Sequence, residues 1–230
     1  QGCSSLTSIT IPDSVTTIGN SAFSHCSSLT SITIPNNVTS IQGWTFLECS
    51  SLTSISVPYN MRDIHSFAFN SCPSIEQFHH SVTTVTQSML NDIRDNEKIK
   101  CIIIPNTVTT LDDYAFKNCK NLTSIIMLNS ITSIGVGAFS GCSSLTSIHI
   151  PNSVTSIKED TFKDCLNLVE IILPSTYIDV DINAFTGCPS VYQFPNNMTT
   201  ITKDMMCNIR GNENIKYLTI PHSVTKIEKQ

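Results

Sequence analysis

Ten cysteines and six histidines are the residues with which this chain could bind a metal, cross-link itself or attack a substrate. Eight of the cysteines fall at 3, 26, 49, 72, 119, 142, 165 and 188, an even spacing broken once, between 72 and 119. No Cys-x-x-Cys occurs, and no Cys/His set has the spacing of a zinc site. The histidines, at 25, 65, 79, 80, 149 and 222, are scattered. Only His79 and His80 adjoin, and neighbours in an extended segment point to opposite faces. The glycines are isolated and form no phosphate loop. An enzyme needs several titratable groups converging in one pocket. The expectation is therefore no catalytic residue, no cofactor, no metal and no enzymatic activity.

The regular cysteines belong to a larger pattern. Proline recurs at 12, 35, 58, 105, 151, 174 and 221, in step with the cysteines. The repeating unit reads C-x-x-L-T-S-I-x-I-P-x-x-V-T-x-I-x-x-x-A-F-x-x, and the copy from Cys142 to Asp164 follows it closely. About ten such units, each of roughly 23–24 residues, fill the chain, a period typical of repeat architectures. Two units, 72–95 and 188–211, are one residue longer than the rest and lose the unit's regular proline position, which lies beyond Phe78 and Phe194. They begin five units apart, at Cys72 and Cys188, so a five-unit block was copied whole. The chain opens inside one unit and stops inside another, and it is read as one repeat domain, 1–230, cut from a longer array.

Leu-Thr-Ser-Ile-x-Ile alternates and is rich in β-branched residues, a strand signal that the following proline ends. The next segment, such as Val154–Ile157 leading to Thr161 and Phe162, suits a second short extended piece and one helical or 3₁₀ turn. A unit this short closes no core alone, so each must bury its apolar side against its neighbours. Like residues then lie over like. Leu6, Leu29, Leu52, Ile75, Ile99, Leu122, Leu145, Leu168, Val191 and Ile215 form one expected column. Ile9, Ile32, Ile55, Phe78, Ile102, Ile125, Ile148, Ile171, Phe194 and Leu218 form the next. Phe23, Phe46, Phe69, Phe116, Phe139, Phe162 and Phe185 form an aromatic column that Leu90 and Met206 complete, and the ten Phe are read as core.

The run Ile34-Pro-Asn-Asn-Val38 through Thr45-Phe46, Cys49 and Leu52, repeated from Ile150 to Leu168, resembles the BspA-like class of leucine-rich repeats. The resemblance extends over essentially the whole chain. It implies a leucine-rich repeat solenoid: a curved stack with short parallel β-strands on the concave face and turns or short helical or 3₁₀ segments on the convex face. It also implies surface or secreted proteins of host-associated bacteria and parasitic protists that adhere to host or matrix proteins. The family supplies no catalytic residues.

Within such a stack the eight regular cysteines sit between the Phe and Leu columns, as buried thiols or as disulfides between neighbouring layers. Strand spacing of about 4.8 Å permits a disulfide. Ladder side chains point the same way, however, and each Cys would face two equivalent partners, which favours thiols. Cys101 is expected to face outward, and with Cys207 it leaves the ladder; these two are the candidates for a reactive thiol. Asn37, Asn121 and Asn197 head Asn-x-Thr acceptors for N-glycosylation.

The expected outward column runs from Thr10 and Thr33 through Ile103, Ile126, His149 and Ile172. With Tyr192 and Tyr217 these last four form a candidate protein-binding surface, since contiguous exposed apolar residues mark interaction sites. The charged turns Arg94–Lys98 and Arg210–Asn214 form a second candidate. Charged residues are only 13%, the net charge is −5, and no basic run exists to neutralise phosphates, which excludes nucleic acid. No apolar stretch approaches a membrane span. Two functions compete: a cell-surface or secreted recognition module for a host-cell or matrix protein, and a cytoplasmic or coat scaffold without a discrete site. Uncapped ends add a tendency to end-to-end association.

Overall fold

The computed structural model describes residues 2–58, 60–174, 178–181, 183–193, 200–201, 215, 217–220 and 224–228, with backbone alone for Tyr192, Gln193, Ile201, Tyr217 and Thr219. From the second unit onward, each unit contributes one short strand and then a second, still shorter one, while the first unit adds an isolated bridge at Ile18. In chain order these are β1 Ser31–Thr33, β2 Ser40–Ile41, β3 Ser54–Ser56, β4 Asp63–Ile64, β5 Ile75–Gln77 and β6 Thr84–Val85. Next come β7 Cys101–Ile104, β8 Thr110–Leu111, β9 Ser124–Met127, β10 Ser133–Ile134, β11 Ser147–His149 and β12 Ser156–Ile157. The last six are β13 Glu170–Ile172, β14 Asp179–Val180, β15 Val191–Gln193, β16 Thr200–Ile201, β17 Tyr217–Thr219 and β18 Lys226–Ile227. All pairings are parallel, as stacking of successive units requires.

Columns form because identical residues meet at every layer. Phe46 stacks on Phe69 at 5.0 Å between ring centroids, Phe116 on Phe139 at 5.2 Å and Phe139 on Phe162 at 5.3 Å, and Leu90 is fully buried in the divergent unit. The Thr of Leu-Thr-Ser ties one layer to the last: Thr53 Oγ1 donates to Thr30 O at 3.3 Å and Thr146 Oγ1 to Thr123 O at 3.3 Å. The convex face of the regular units consists of turns. His25, Glu48, Ser71, Asn118 and Asp164 share one unit position there, and all have positive φ of about 60°. The described helical backbone lies in the divergent unit, a 3₁₀ turn at Gln87–Leu90 running into an α turn, α1, at Asn91–Arg94.

The divergent unit also breaks the stack. β3 pairs with β1 and no other described strand, whereas β5 pairs forward with β7. The register of β5 is displaced by two residues from the expected columns: Ile75 lies opposite Cys101 and Gln77 opposite Ile103, instead of Ile75 opposite Ile99. β15 and β17 repeat this displacement, with Val191 opposite Tyr217. A shift of two keeps each side chain on its face, so the hydrophobic alternation tolerates it.

Two packed cores result. One holds the buried residues from Ile18 to Ile75, and the other those from Phe78 to Cys188, so β5 straddles the seam. Cys101, Ile103, Ile126 and Leu128 belong to the first core although their strands frame the second. The first three units are thus folded back onto the concave face of the middle ones. Asn106 Nδ2 marks the contact, donating to Arg62 O at 3.3 Å and Asp63 Oδ1 at 3.2 Å across the divergent unit. In the regular stack Asn60 Nδ2, one unit position further on, reaches Asn36 O, a single layer away.

Candidate functional site

The fold-back changes which residues of the expected outward column meet solvent. Ile103 and Ile126 are 0% and 6% exposed, whereas Ile172 is 50% exposed. The expectation that Ile103 and Ile126 form an open binding face is therefore corrected: they seal the end of the N-terminal core, which the displaced β5 leaves uncovered. Cys101 is corrected likewise. It is fully buried, and burial pushes its thiol up to about 11, so it is no reactive nucleophile.

What remains open is a cleft of about 370 Å³. One wall is Ser54, Ile55, Ser56 and Val57; the other is formed by residues of β9, β11 and β13, including Ile126, Ser147, His149, Glu170 and Ile172. His149 is half-buried, and desolvation lowers its pKa, which keeps the imidazole neutral near pH 7. Of the sequence-predicted surface, the structure brings Ile126, His149 and Ile172 to this cleft, with Ile126 on its floor. β15 carries Tyr192, opposite Leu218, and β17 carries Tyr217; their side chains lie outside the described residues.

The charged turn of the divergent unit is occupied structurally. Arg94 Nε donates to Lys117 O at 2.9 Å, which ties α1 to the next layer. The second turn, Arg210–Asn214, lies outside the described residues, as do Cys207, Met206 and Asn197. Asn37 is exposed, with its Nδ2 donating to Asp13 O at 2.6 Å, and Asn121 is half-buried. No three of His, Cys, Asp and Glu gather to hold a metal among the described residues, and no described helix is long and apolar enough to cross a membrane.

One surface feature escaped the sequence reading. Trp44 and Phe67 are 46% and 51% exposed, and their rings stack at 6.2 Å with His65 tilted alongside. Phe67 thus departs from the expectation that all ten Phe are core. The signal was available: Trp44 and Phe67 are one unit apart, at the unit position of Ser21.

With this geometry in view, the sequence matches the family described as BspA type leucine rich repeat region, over residues 1–123 and 109–230. The chain belongs to that family. Among solved structures, this leucine-rich repeat array is similar to a leucine-rich repeat protein from Bacteroides ovatus, at 26% identity and a TM-score of 0.46 over 95% of this chain and 61% of that one. It is also similar to a leucine rich cell surface protein from Faecalibacterium prausnitzii, at 19% identity and a TM-score of 0.40 over 91% and 62%. A third is the leucine rich repeat protein of T. pallidum, at 22% identity and a TM-score of 0.35 over 86% and 72%. The chain thus spans less than two thirds of the first two. A search of curated proteins found no match.

Proposed function

We propose that this array is a non-enzymatic protein-recognition module of the cell surface or secreted space, and that its partner, a host-cell or matrix protein, enters the cleft between β3 and the strands β9, β11 and β13. The observation that carries the reading is Ile172, half exposed in a concave cleft beside a neutral His149. Exposed aliphatics in a concave setting are what a protein partner desolvates. Membership of the family supports the location. Asn37, Asn121 and Asn197 are the positions at which glycans would record passage through a secretory route.

The test is capture of extracellular matrix and host-surface proteins by the wild-type chain and by Ile172→Asp. Loss of a specific partner in the variant supports the cleft, and unchanged capture moves the site elsewhere. Glycan mapping on protein from its native source tests the location independently: glycosylated acceptors support it, and a wholly unglycosylated chain fractionating with the cytosol overturns it.

A further inference from the structure

We infer that the partner enters this cleft as an extended segment, aliphatic residues alternating with small polar ones, and adds as a strand to the open edge of β3. The inference rests on the reading of the cleft as a protein-recognition site and specifies the chemistry of what is recognised.

The argument starts from the main chain. In a parallel ladder alternate residues direct both their N–H and C=O groups to the same neighbour. Ile34 N–H donates to Ser56 O at 2.9 Å, so Ser54 and Ser56 serve β1 and the peptide groups of Ile55 face the opposite edge. In a regular stack the next strand would take that edge. Here β5 has turned forward to β7, and no described strand pairs with the far side of β3. An unpaired strand edge is a template for another chain, and strand addition is a recurring mode of peptide recognition.

The side chains say which segment fits. Alternate residues of an added strand would face two surroundings. One set faces the apolar lining of the cleft, Val57 beside Ile55 on one wall and Ile172 on the other, which rewards an aliphatic residue. The other set lies beside the exposed hydroxyls of Ser54 and Ser56, which suits Ser or Thr. Glu170 is the charged residue of the lining, so a segment ending in Lys or Arg fits better than one ending in Asp or Glu. The volume of about 370 Å³ falls in the range of pockets that hold small ligands or short peptide stretches.

A synthetic peptide with the sequence of residues 144–152 is the probe, because its Ser147–His149 runs as a parallel strand in the array and alternates aliphatic with polar residues. Two further versions carry N-methyl groups on alternate residues, one set in each parity. The full chain should bind the unmodified peptide and one methylated version alike, and the other about tenfold more weakly, the worth of one or two lost hydrogen bonds. Amide exchange should slow at Ile55 and Val57. No binding, equal binding of all three peptides, or slowed exchange confined to other strands would overturn strand addition. Val57→Pro, which removes one edge N–H just beyond β3, separates the two readings. A captured partner lost with Ile172→Asp but retained by folded Val57→Pro keeps protein recognition and removes strand addition. A partner indifferent to both removes recognition at the cleft as well.

Discussion

Five buried cysteines of the column, Cys49, Cys72, Cys142, Cys165 and Cys188, are hydrogen-bond donors as well as apolar fillers. Cys49 Sγ donates to Phe23 O at 3.1 Å, Cys72 Sγ to Phe46 O at 3.0 Å and Cys142 Sγ to Phe116 O at 3.1 Å. A thiol suits this place because it packs as a small hydrophobe yet satisfies a carbonyl of the preceding Phe turn. Burial pushes Cys49 up to about 11 and Cys72 up to about 12, and it raises Cys142 further. The nine described cysteines are free thiols, and all but Cys3 are buried. Iodoacetamide at about pH 8 should therefore label Cys3 quickly in the native protein and leave Cys49, Cys72, Cys101 and Cys142 unmodified until denaturant is added. Residue-resolved mass spectrometry checks this, and rapid native labelling of Cys142 would contradict the column. Glu76 presents the opposite problem, a carboxylate half-buried at the seam in β5 whose pKa burial raises. A folded-state pKa above the unfolded one means stability is fullest below the unfolded value and is lost as pH rises through the folded value. Glu76→Gln should thus raise the urea midpoint at pH 7, and the gain should vanish below about pH 4, where both states bind the proton. A gain that persists unchanged at acid pH would show that charge burial is not its cause.

At the scale of the element, the stability of one unit is borrowed from the two beside it. Phe139 is fully buried and its ring lies between Phe116 and Phe162, nearly parallel to the latter at 6°. Replacing it by Ala removes contacts in three layers at once and should cost about 3–5 kcal/mol. Phe67→Ala, on an exposed ring, should cost well under half as much. Denaturant titration measures both, and amide exchange should locate the first loss in the layers holding Phe116 and Phe162. Equal costs would mean that the column is not what holds the layers together. The convex turns obey a different rule. Tyr114 lies at φ 57° with its ring over the next layer, where residue 137 is Gly; a Cβ there would come within 2.4 Å of a Tyr114 ring carbon, and φ at 137 is +58°. Bulk at one layer and its absence at the next are therefore coupled along the array.

For the whole molecule, the stack itself was readable from spacing alone, because the Phe, Leu and Cys columns depend only on the repeat period. The fold-back was not. Ile103, Ile126 and Ile172 occupy one unit position, and nothing in their local wording separates two buried residues from an exposed one; the difference arises from units far away in the chain. The two-residue displacement of β5 was hidden for a related reason, since it preserves the alternation by which a register is recognised. Of the candidate surface, Ile172 is exposed and His149 half-buried, whereas Ile103 and Ile126 are covered by the first three units. This dependence can be tested directly. Ile103→Asp places an unpaired carboxylate where the N-terminal core meets the concave face, a change of the kind that costs several kcal/mol. The loss should fall on the block it seals: exchange should quicken at the amides of residues 29–64, while those of residues 139–171, packed around Phe139 and Phe162, keep their protection. Ile172→Asp, made at the same unit position on an exposed side chain, should leave both blocks unchanged. If the two substitutions proved equally harmless, Ile103 would be facing water and the first three units would continue the stack instead of covering it.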